Sequence, residues 1–236
     1  MATRSDLDVK ALRKAKGWTQ VQAAQKLRVS QTYLSLLESG ARGVPAALVR
    51  RVQRAFAAPM SCLPLPVSLD AWGAVDAQML ARRLAALRYP GLVYLQTKGV
   101  GAENPAAVLL WALKADDLEP RLVEALPWLL LHFDGLAVAW LVREAKLNNL
   151  QNRLGFVVAL AKELARADGS PYGTAMQRLD ALLGVLEPSR LVREDTLCEG
   201  AMSGRMHLAV TRTRSTLAAH WNLVTGWKVE HFAYEF

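Results

Sequence analysis

A cluster of prolines places the strongest limit on how this chain folds. Pro59, Pro64 and Pro66 lie between residues 57 and 66. Because proline lacks a backbone N–H and has a fixed φ, a helix cannot continue through this stretch, and a semi-rigid extended spacer is favoured. The 236 residues are enough for two ordinary domains. We therefore predict an N-terminal domain at 1–57, a linker at 58–69 and a C-terminal body at 70–236.

Positive charge is concentrated in the first quarter of the chain. The formal net charge is +8, and residues 1–58 contain eleven Lys and Arg against three Asp and Glu. The remaining 178 residues therefore carry no net charge. A short basic segment is either a solvated surface or a surface that binds a polyanion. Charge alone leaves both interpretations open.

Composition and motif spacing exclude several classes of protein. An apolar content of 52% argues against disorder, and two cysteines without a visible secretory leader favour the cytoplasm. The apolar stretch 126–142 includes Pro127, His132 and Asp134, which favours buried core over a membrane span. No catalytic signature, HExxH or CxxC occurs. We expect no enzymatic activity, no metal and no cofactor.

The body carries two kinds of apolar periodicity. The clearest helical pattern steps by four and three residues through Leu150, Leu154, Val157, Ala161 and Leu164. Further on, Met206, Leu208 and Val210 alternate with less apolar residues, as do Trp227 and Val229, and a period of two predicts strands. The predicted fold is mainly α, with a mostly helical body and a small C-terminal β-sheet.

Residues 7–56 predict four or five short helices, at Leu7–Lys16, Gln20–Lys26, Gln31–Glu38 and Val44–Ala55. Thr19 and Ser30 are suitable N-caps for the second and third helices, because their hydroxyls accept hydrogen bonds from the first turn. Gly17 and Gly40 suit the ends of the first and third helices.

These residues carry a specific resemblance. Two short helices with a tight turn between them, the second opening Ser-Gln-Thr, resemble the helix-turn-helix of the XRE family, the phage Cro and repressor type. The matching residues are Gly17-Trp18-Thr19-Gln20, Ala24, Val29-Ser30-Gln31-Thr32-Tyr33-Leu34-Ser35 and Leu37-Glu38-Ser39-Gly40. The resemblance implies a lambda-repressor-like five-helix domain that binds double-stranded DNA through the third helix.

The resemblance also implies roles for individual residues. The candidate DNA-binding residues are Gln20, Arg28, Ser30, Gln31, Thr32, Ser35, Leu36 and Arg42. By its position Gln20 contacts a phosphate, as do Arg28 and Arg42. Gln31, Thr32 and Ser35 read base edges, while the Leu36 methyl groups suit a thymine methyl. Arg13 and Glu38 occupy the positions of a salt bridge seen in the family. Arg28 stands where the turn usually has glycine, which predicts a strained positive φ.

We predict a DNA-binding transcription regulator, a repressor that reads an inverted-repeat operator as a homodimer through the 70–236 body. A small-molecule effector remains open, with Trp111, Trp128 and Trp140 as candidate pocket residues.

An alternative function comes from the body. Asn152-Arg153-Leu154-Gly155-Phe156 and His220-Trp221-Asn222-Leu223 resemble the C-terminal half of AbiEi-type antitoxins of type IV toxin-antitoxin systems. That resemblance implies an autoregulating antitoxin whose partner is a nucleotidyltransferase-like toxin. In this reading Arg205, Arg212 and Arg214 lie along a strand, either as a second phosphate-binding surface or as a charged, solvated strand edge.

Overall fold

A computed structural model of the protein describes residues 7–95, 101–167, 170–198 and 202–232. The chain separates into two compact units, with the division between Val67 and Ser68. This point lies inside the segment predicted as the linker. Part of that segment is folded, since Met60–Cys62 form a 3-10 turn and both Ala58 and Leu63 are buried.

Unit 1, the described residues up to Val67, is a small helical bundle. Its α-helices are α1 (Val9–Ala15), α2 (Gln20–Leu27), α3 (Gln31–Glu38) and α4 (Ala46–Phe56). The α3 limits agree with the sequence prediction at both ends. Local caps explain this accuracy, because Ser30 Oγ accepts a hydrogen bond from Tyr33 N at 3.1 Å, and Thr19 forms a capping box with Gln22.

Apolar side chains from all of these helices form the core of unit 1. Its buried members are Val9, Ala23, Ala24, Leu27, Leu34, Leu37, Leu48, Val52 and Phe56. Trp18 closes the cluster at one side, with its ring centroid 5.2 Å from that of Phe56. A core of this size holds four short helices that would be unstable in isolation.

The turn between α2 and α3 is held by an unusual backbone conformation. Arg28 has φ 52° and ψ 49°, in the left-handed region, as its position in the turn predicts. Its N–H bonds to the Gln25 carbonyl at 3.0 Å, and Val29 N bonds to Ala24 O at 3.0 Å. A non-glycine residue in this region costs about 1 kcal/mol. The tight turn fixes the angle between α2 and α3 at that cost.

Unit 2 is mainly helical. Its α-helices are α5 (Ala77–Ala86), α6 (Pro105–Leu113), α7 (Pro120–His132), α8 (Val138–Leu147), α9 (Gln151–Arg166), α10 (Met176–Leu186), α11 (Gly204–Thr213) and α12 (Thr216–His220). Shorter 3-10 turns lie at Leu69–Trp72, Pro90–Leu95, Gly173–Ala175, Glu187–Ser189 and Val229–His231. Every residue of α6 is buried, as are residues 151–161 of α9. These two helices form the centre of the unit.

The strands of unit 2 lie elsewhere than predicted. A short parallel pair joins β1 (Asp195–Thr196) to β2 (Leu223–Val224), with Asp195 opposite Leu223. The fold class is therefore confirmed as mainly α with a small C-terminal β part. The strand predicted over Met206–Val210 is wrong, because these residues belong to α11, and so is the strand predicted at Trp227 and Val229.

The physical reason for the error is the exposure of α11. This helix has no buried residue, and Met206 and Leu208 are more than half exposed. Its apolar alternation therefore does not mark a buried face, and the N-cap Ser203 is the better local signal. Arg205 and Arg212 lie on α11 and Arg214 follows it, so the prediction that these arginines share a strand is also wrong.

The longest apolar stretch of the sequence is core of unit 2. Leu126–Leu131 are buried in α7, which accommodates Pro127 within the helix. Among the residues that the structure describes, no helix combines the length and the apolar character that a membrane span requires.

Candidate nucleic-acid interface

Helix α3 presents a polar face to solvent. Gln31, Thr32 and Ser35 are exposed, whereas Leu34 and Leu37 are buried in the core of unit 1. The buried leucines fix the rotation of the helix about its axis, and with it the direction of the three polar side chains. An amide and two hydroxyls on one helical face can donate to and accept from base edges in a major groove.

Leu36 is also exposed on α3, at 41% of its surface. Val21, at the start of α2, is 48% exposed. The sequence interpretation included Leu36 and missed Val21. The signal that could have found Val21 is its position outside the apolar face of α2, which consists of Ala23, Ala24 and Leu27. Exposed aliphatic side chains of this kind suit contact with thymine methyl groups.

The N-termini of α2 and α3 supply backbone donors. The first N–H groups of a helix have no partner within it and carry the positive end of the helix dipole. In α3 the Ser30 hydroxyl satisfies Tyr33 N, so this hydroxyl serves as a cap. In α2 the Thr19 hydroxyl satisfies Gln22 N. Residues 20 and 21 of α2 thus provide N–H groups suited to a phosphate oxygen.

Glu38 connects three helices at the end of α3. Arg13 of α1 donates from Nε to Glu38 Oε1 at 2.6 Å and from Nη2 to Oε2 at 2.9 Å, which confirms the salt bridge that the sequence resemblance implied. Gln20 of α2 donates from Nε2 to the same Oε2 at 3.1 Å. Arg13 Nη1 also donates to Trp18 O at 2.9 Å. Sequence reasoning missed the bond between Gln20 and Glu38, because no local pattern links residues 18 positions apart.

The Glu38 carboxylate is buried and ionised. Its side chain is only 3% exposed. Hydrogen bonds from Arg13 lower its pKa below the ordinary carboxyl value, the bond from Gln20 contributes in the same direction, and burial opposes both. The pKa of Arg13 is raised, mainly by its hydrogen bonds to Glu38. The ion pair therefore persists through the physiological pH range.

Cationic side chains flank the polar face. Arg28 in the turn and Arg42 after α3 are both exposed. The Arg42 guanidinium carbon lies 5.2 Å from the centroid of the Tyr33 ring, and Arg42 N donates to Leu36 O at 3.0 Å. Stacking on an aromatic ring restricts a long side chain that would otherwise be mobile. No pattern of residues indicates this contact, which places Arg42 beside α3.

The polar motif of unit 2 has a different role, which is to hold unit 2 together. Arg153 makes a bidentate ion pair with Asp195, at 2.8 and 2.9 Å, and donates to Leu113 O and Ala115 O. Asn152 bonds to the backbone of Leu191 in both directions. These residues join α9 to the C-terminal segment and offer no surface for a partner. The antitoxin function that they suggested stays a prediction.

Gly155 and Trp221 from the same motif are in close contact. A Cβ placed on Gly155 would lie 2.3 Å from a ring carbon of Trp221, a distance that only glycine permits. Trp221 is 1% exposed, and Asn222 donates to Leu191 O at 2.7 Å.

The tryptophans proposed for an effector pocket lie in the core. Trp111, Trp128 and Trp140 are each at most 5% exposed. They do not line an open cavity of about 390 Å³ among the described residues of unit 2, which is bordered by Asp70, Gly73, Ala74, Val75, Lys114, Ala115, Asp116 and Asp117. Within the described ranges, no group of three His, Cys, Asp or Glu side chains is placed to hold a metal ion.

Comparison with known proteins gives one result for unit 1 and none for unit 2. Residues 8–61 match the family model described as a helix-turn-helix domain. No curated protein and no solved structure matches the chain significantly. The matched range covers α1 to α4 and the following 3-10 turn, and α2 and α3 have the spacing and the tight turn of the motif. Over residues 8–61 the chain is therefore similar to helix-turn-helix domains, in agreement with the resemblance found in the sequence.

Proposed function

We propose that this protein is a sequence-specific transcription regulator, a repressor that inserts α3 into the major groove of double-stranded DNA. The observation that carries the proposal is the α3 face itself. Gln31, Thr32 and Ser35 are exposed on a helix whose buried leucines prevent it from turning. Side chains held in this way can discriminate base pairs, because a base contact depends on direction as well as on distance.

Each part of the interface takes a distinct role. The Gln31 amide is the reader of an adenine edge, with Thr32 and Ser35 at neighbouring bases and Leu36 at a thymine methyl. Gln20 and the first N–H groups of α2 bind one phosphate, while Arg28 and Arg42 bind others. The Ser30 hydroxyl, already used as a cap, contributes by fixing the start of α3. The excess of basic residues in 1–58 strengthens attraction to the backbone of either strand.

A single small domain reads too few base pairs for useful discrimination, so the proposal includes a homodimer. Pairing through residues 70–236 would let two copies of α3 read an inverted repeat with half-sites about one DNA turn apart. We place the protein in the cytoplasm, with no catalytic role and no cofactor. An effector that acts on unit 2 is compatible with this scheme.

The test is selection of bound sequences from random duplexes with the purified chain. We expect an inverted-repeat consensus, and each mismatch in it should cost about 1–3 kcal/mol. The Gln31→Ala variant should lose preference at one position of each half-site. The matched control is Gln25→Ala, another exposed glutamine, on α2, which should retain the consensus. Recovery of random sequence by the wild-type chain, or an unchanged consensus in Gln31→Ala, would contradict the proposal.

A further inference from the structure

The bond from Gln20 to Glu38 restricts how the Gln20 amide can be used. Gln20 Nε2 donates one of its two hydrogens to Glu38 Oε2 at 3.1 Å. A carboxylate is an acceptor only, so it attracts the NH₂ side of the amide and repels the carbonyl side. The second Nε2 hydrogen stays available for another acceptor. Without Glu38 the amide could flip and present Oε1, which a phosphate would repel.

Glu38 is well suited to hold another side chain in place. It is buried, and two hydrogen bonds from Arg13 fix both of its oxygens, at 2.6 and 2.9 Å. It also belongs to the last turn of α3, whereas Gln20 begins α2. The contact therefore links the start of one helix of the motif to the end of the other.

We infer that Glu38 is a positioning residue, which orients the Gln20 amide toward a DNA phosphate and thereby couples the phosphate anchor on α2 to the base-reading face of α3. This inference rests on the proposed function. It adds a specific mechanical role for a side chain that does not itself touch DNA. The phosphate contact sets the depth and register of docking. Because Glu38 belongs to the same helix as Gln31 and Ser35, its bond to Gln20 fixes the position of these base-reading side chains relative to the phosphate contact.

A residue that only stabilises the fold would behave differently from a positioning residue, and a double-mutant cycle distinguishes the two. In the wild-type background, Gln20→Ala should weaken operator binding about fivefold, the value of one ordinary hydrogen bond. In a Glu38→Met background the same change should weaken binding less than about twofold, because methionine has no oxygen to accept from Gln20 Nε2 and the amide is no longer oriented. If Glu38 only stabilised the fold, Gln20→Ala would weaken operator binding by the same factor in both backgrounds.

The control background is Arg51→Ala. Arg51 of α4 donates from Nη1 to Leu27 O at 2.7 Å, so its loss weakens packing between helices of unit 1 without contact to Gln20. Gln20→Ala should still cost about fivefold there. Equal factors in the wild-type and Glu38→Met backgrounds would overturn the inference, as would the absence of any effect of Gln20→Ala on the wild type.

A second measurement needs no variant. In the wild-type chain, NMR should show slower hydrogen exchange for the Gln20 side-chain NH₂ than for that of exposed Gln25. Equal rates would overturn the inference even if Glu38→Met failed to fold. Failure of the proposed function gives a separate signature, because a wild-type chain that selects no operator overturns both proposals, whereas selective binding with independent Gln20 and Glu38 effects overturns this one alone.

Discussion

Two polar motifs of this chain, one in each unit, have opposite environments. Gln31, Thr32 and Ser35 lie exposed on α3. Asn152 and Arg153 of α9 are buried, and both bind other parts of unit 2. The first motif is held rigid by neighbouring leucines and leaves its polar groups available, whereas the second uses its polar groups to join segments of its own unit. A polar motif indicates a binding partner only when its hydrogen-bonding groups are not already paired within the fold.

The largest expected effect is in unit 2. Arg153→Met removes the partner of Asp195 and leaves the carbonyls of Leu113 and Ala115 without a donor. Because the remaining groups are largely shielded from water, unfolding should become easier by about 3 kcal/mol. Denaturant unfolding of the full chain, followed by tryptophan fluorescence, measures this. Arg166→Met, which breaks an exposed pair with Glu163 on the same helix, should change stability by less than about 0.5 kcal/mol.

The next effect tests close packing in the same motif. Gly155→Ala forces a methyl group into the Trp221 ring, which should cost about 1–3 kcal/mol of unfolding free energy. The matched control is Gly184→Ala on α10, where an added Cβ meets nothing within 4 Å. That change should be neutral or stabilising by up to about 1 kcal/mol. Equal results for the two glycines would remove the structural role assigned to the α9 motif.

A change in unit 1 should affect binding and leave folding intact. Arg42→Ala should weaken binding to every DNA sequence alike, and the slope of log affinity against log salt should fall by about 1, the loss of one phosphate contact. Fluorescence anisotropy with specific and random duplexes at several salt concentrations gives both quantities. A loss confined to one sequence would identify Arg42 as a base reader. Arg166→Met should leave the slope unchanged.

The smallest expected effect is the pH dependence of stability that Glu38 contributes. Near neutral pH this contribution should not change with pH. Its pKa in the folded chain is lowered, chiefly by the hydrogen bonds from Arg13. Its stabilising contribution is therefore complete above the ordinary carboxyl pKa of about 4.3 and is lost as pH falls from there through the lowered folded-state value. The stability difference between wild type and Glu38→Gln should shrink over that acidic range. A difference that grows on acidification would show that the sign is wrong.

Local signals made unit 1 predictable. Ser30 and Gly40 mark the ends of α3 by short-range rules, a serine cap and a left-handed glycine with φ 72°, and the predicted limits agree with the structure. The strained turn at Arg28 followed from the same local reasoning. The hydrogen bond from Gln20 to Glu38 did not, because it forms only when α2 and α3 have packed against each other.

Unit 2 was less predictable because its local signals are weak or misleading. Helix α11 lacks a buried face, so its alternating Met206, Leu208 and Val210 resembled a strand. The true strands have two residues each, too few for any periodic pattern. Their pairing coincides with the contact between Arg153 and Asp195, which are 42 positions apart.

Four features could be predicted from the order of the amino acids alone, since each depends on neighbouring residues or on composition: the division near the prolines, the cationic first quarter, the caps of α2 and α3, and the outward polar face of α3. Which polar side chains are paired within the fold depends on how the helices pack, and the structure was needed to show it. Gln20 donates a hydrogen bond to Glu38, and Arg42 stacks on Tyr33. Arg153 forms an ion pair with Asp195. The physical reason is that a hydrogen bond between distant residues depends on packing, and no spacing in the sequence encodes the 3 Å between its atoms.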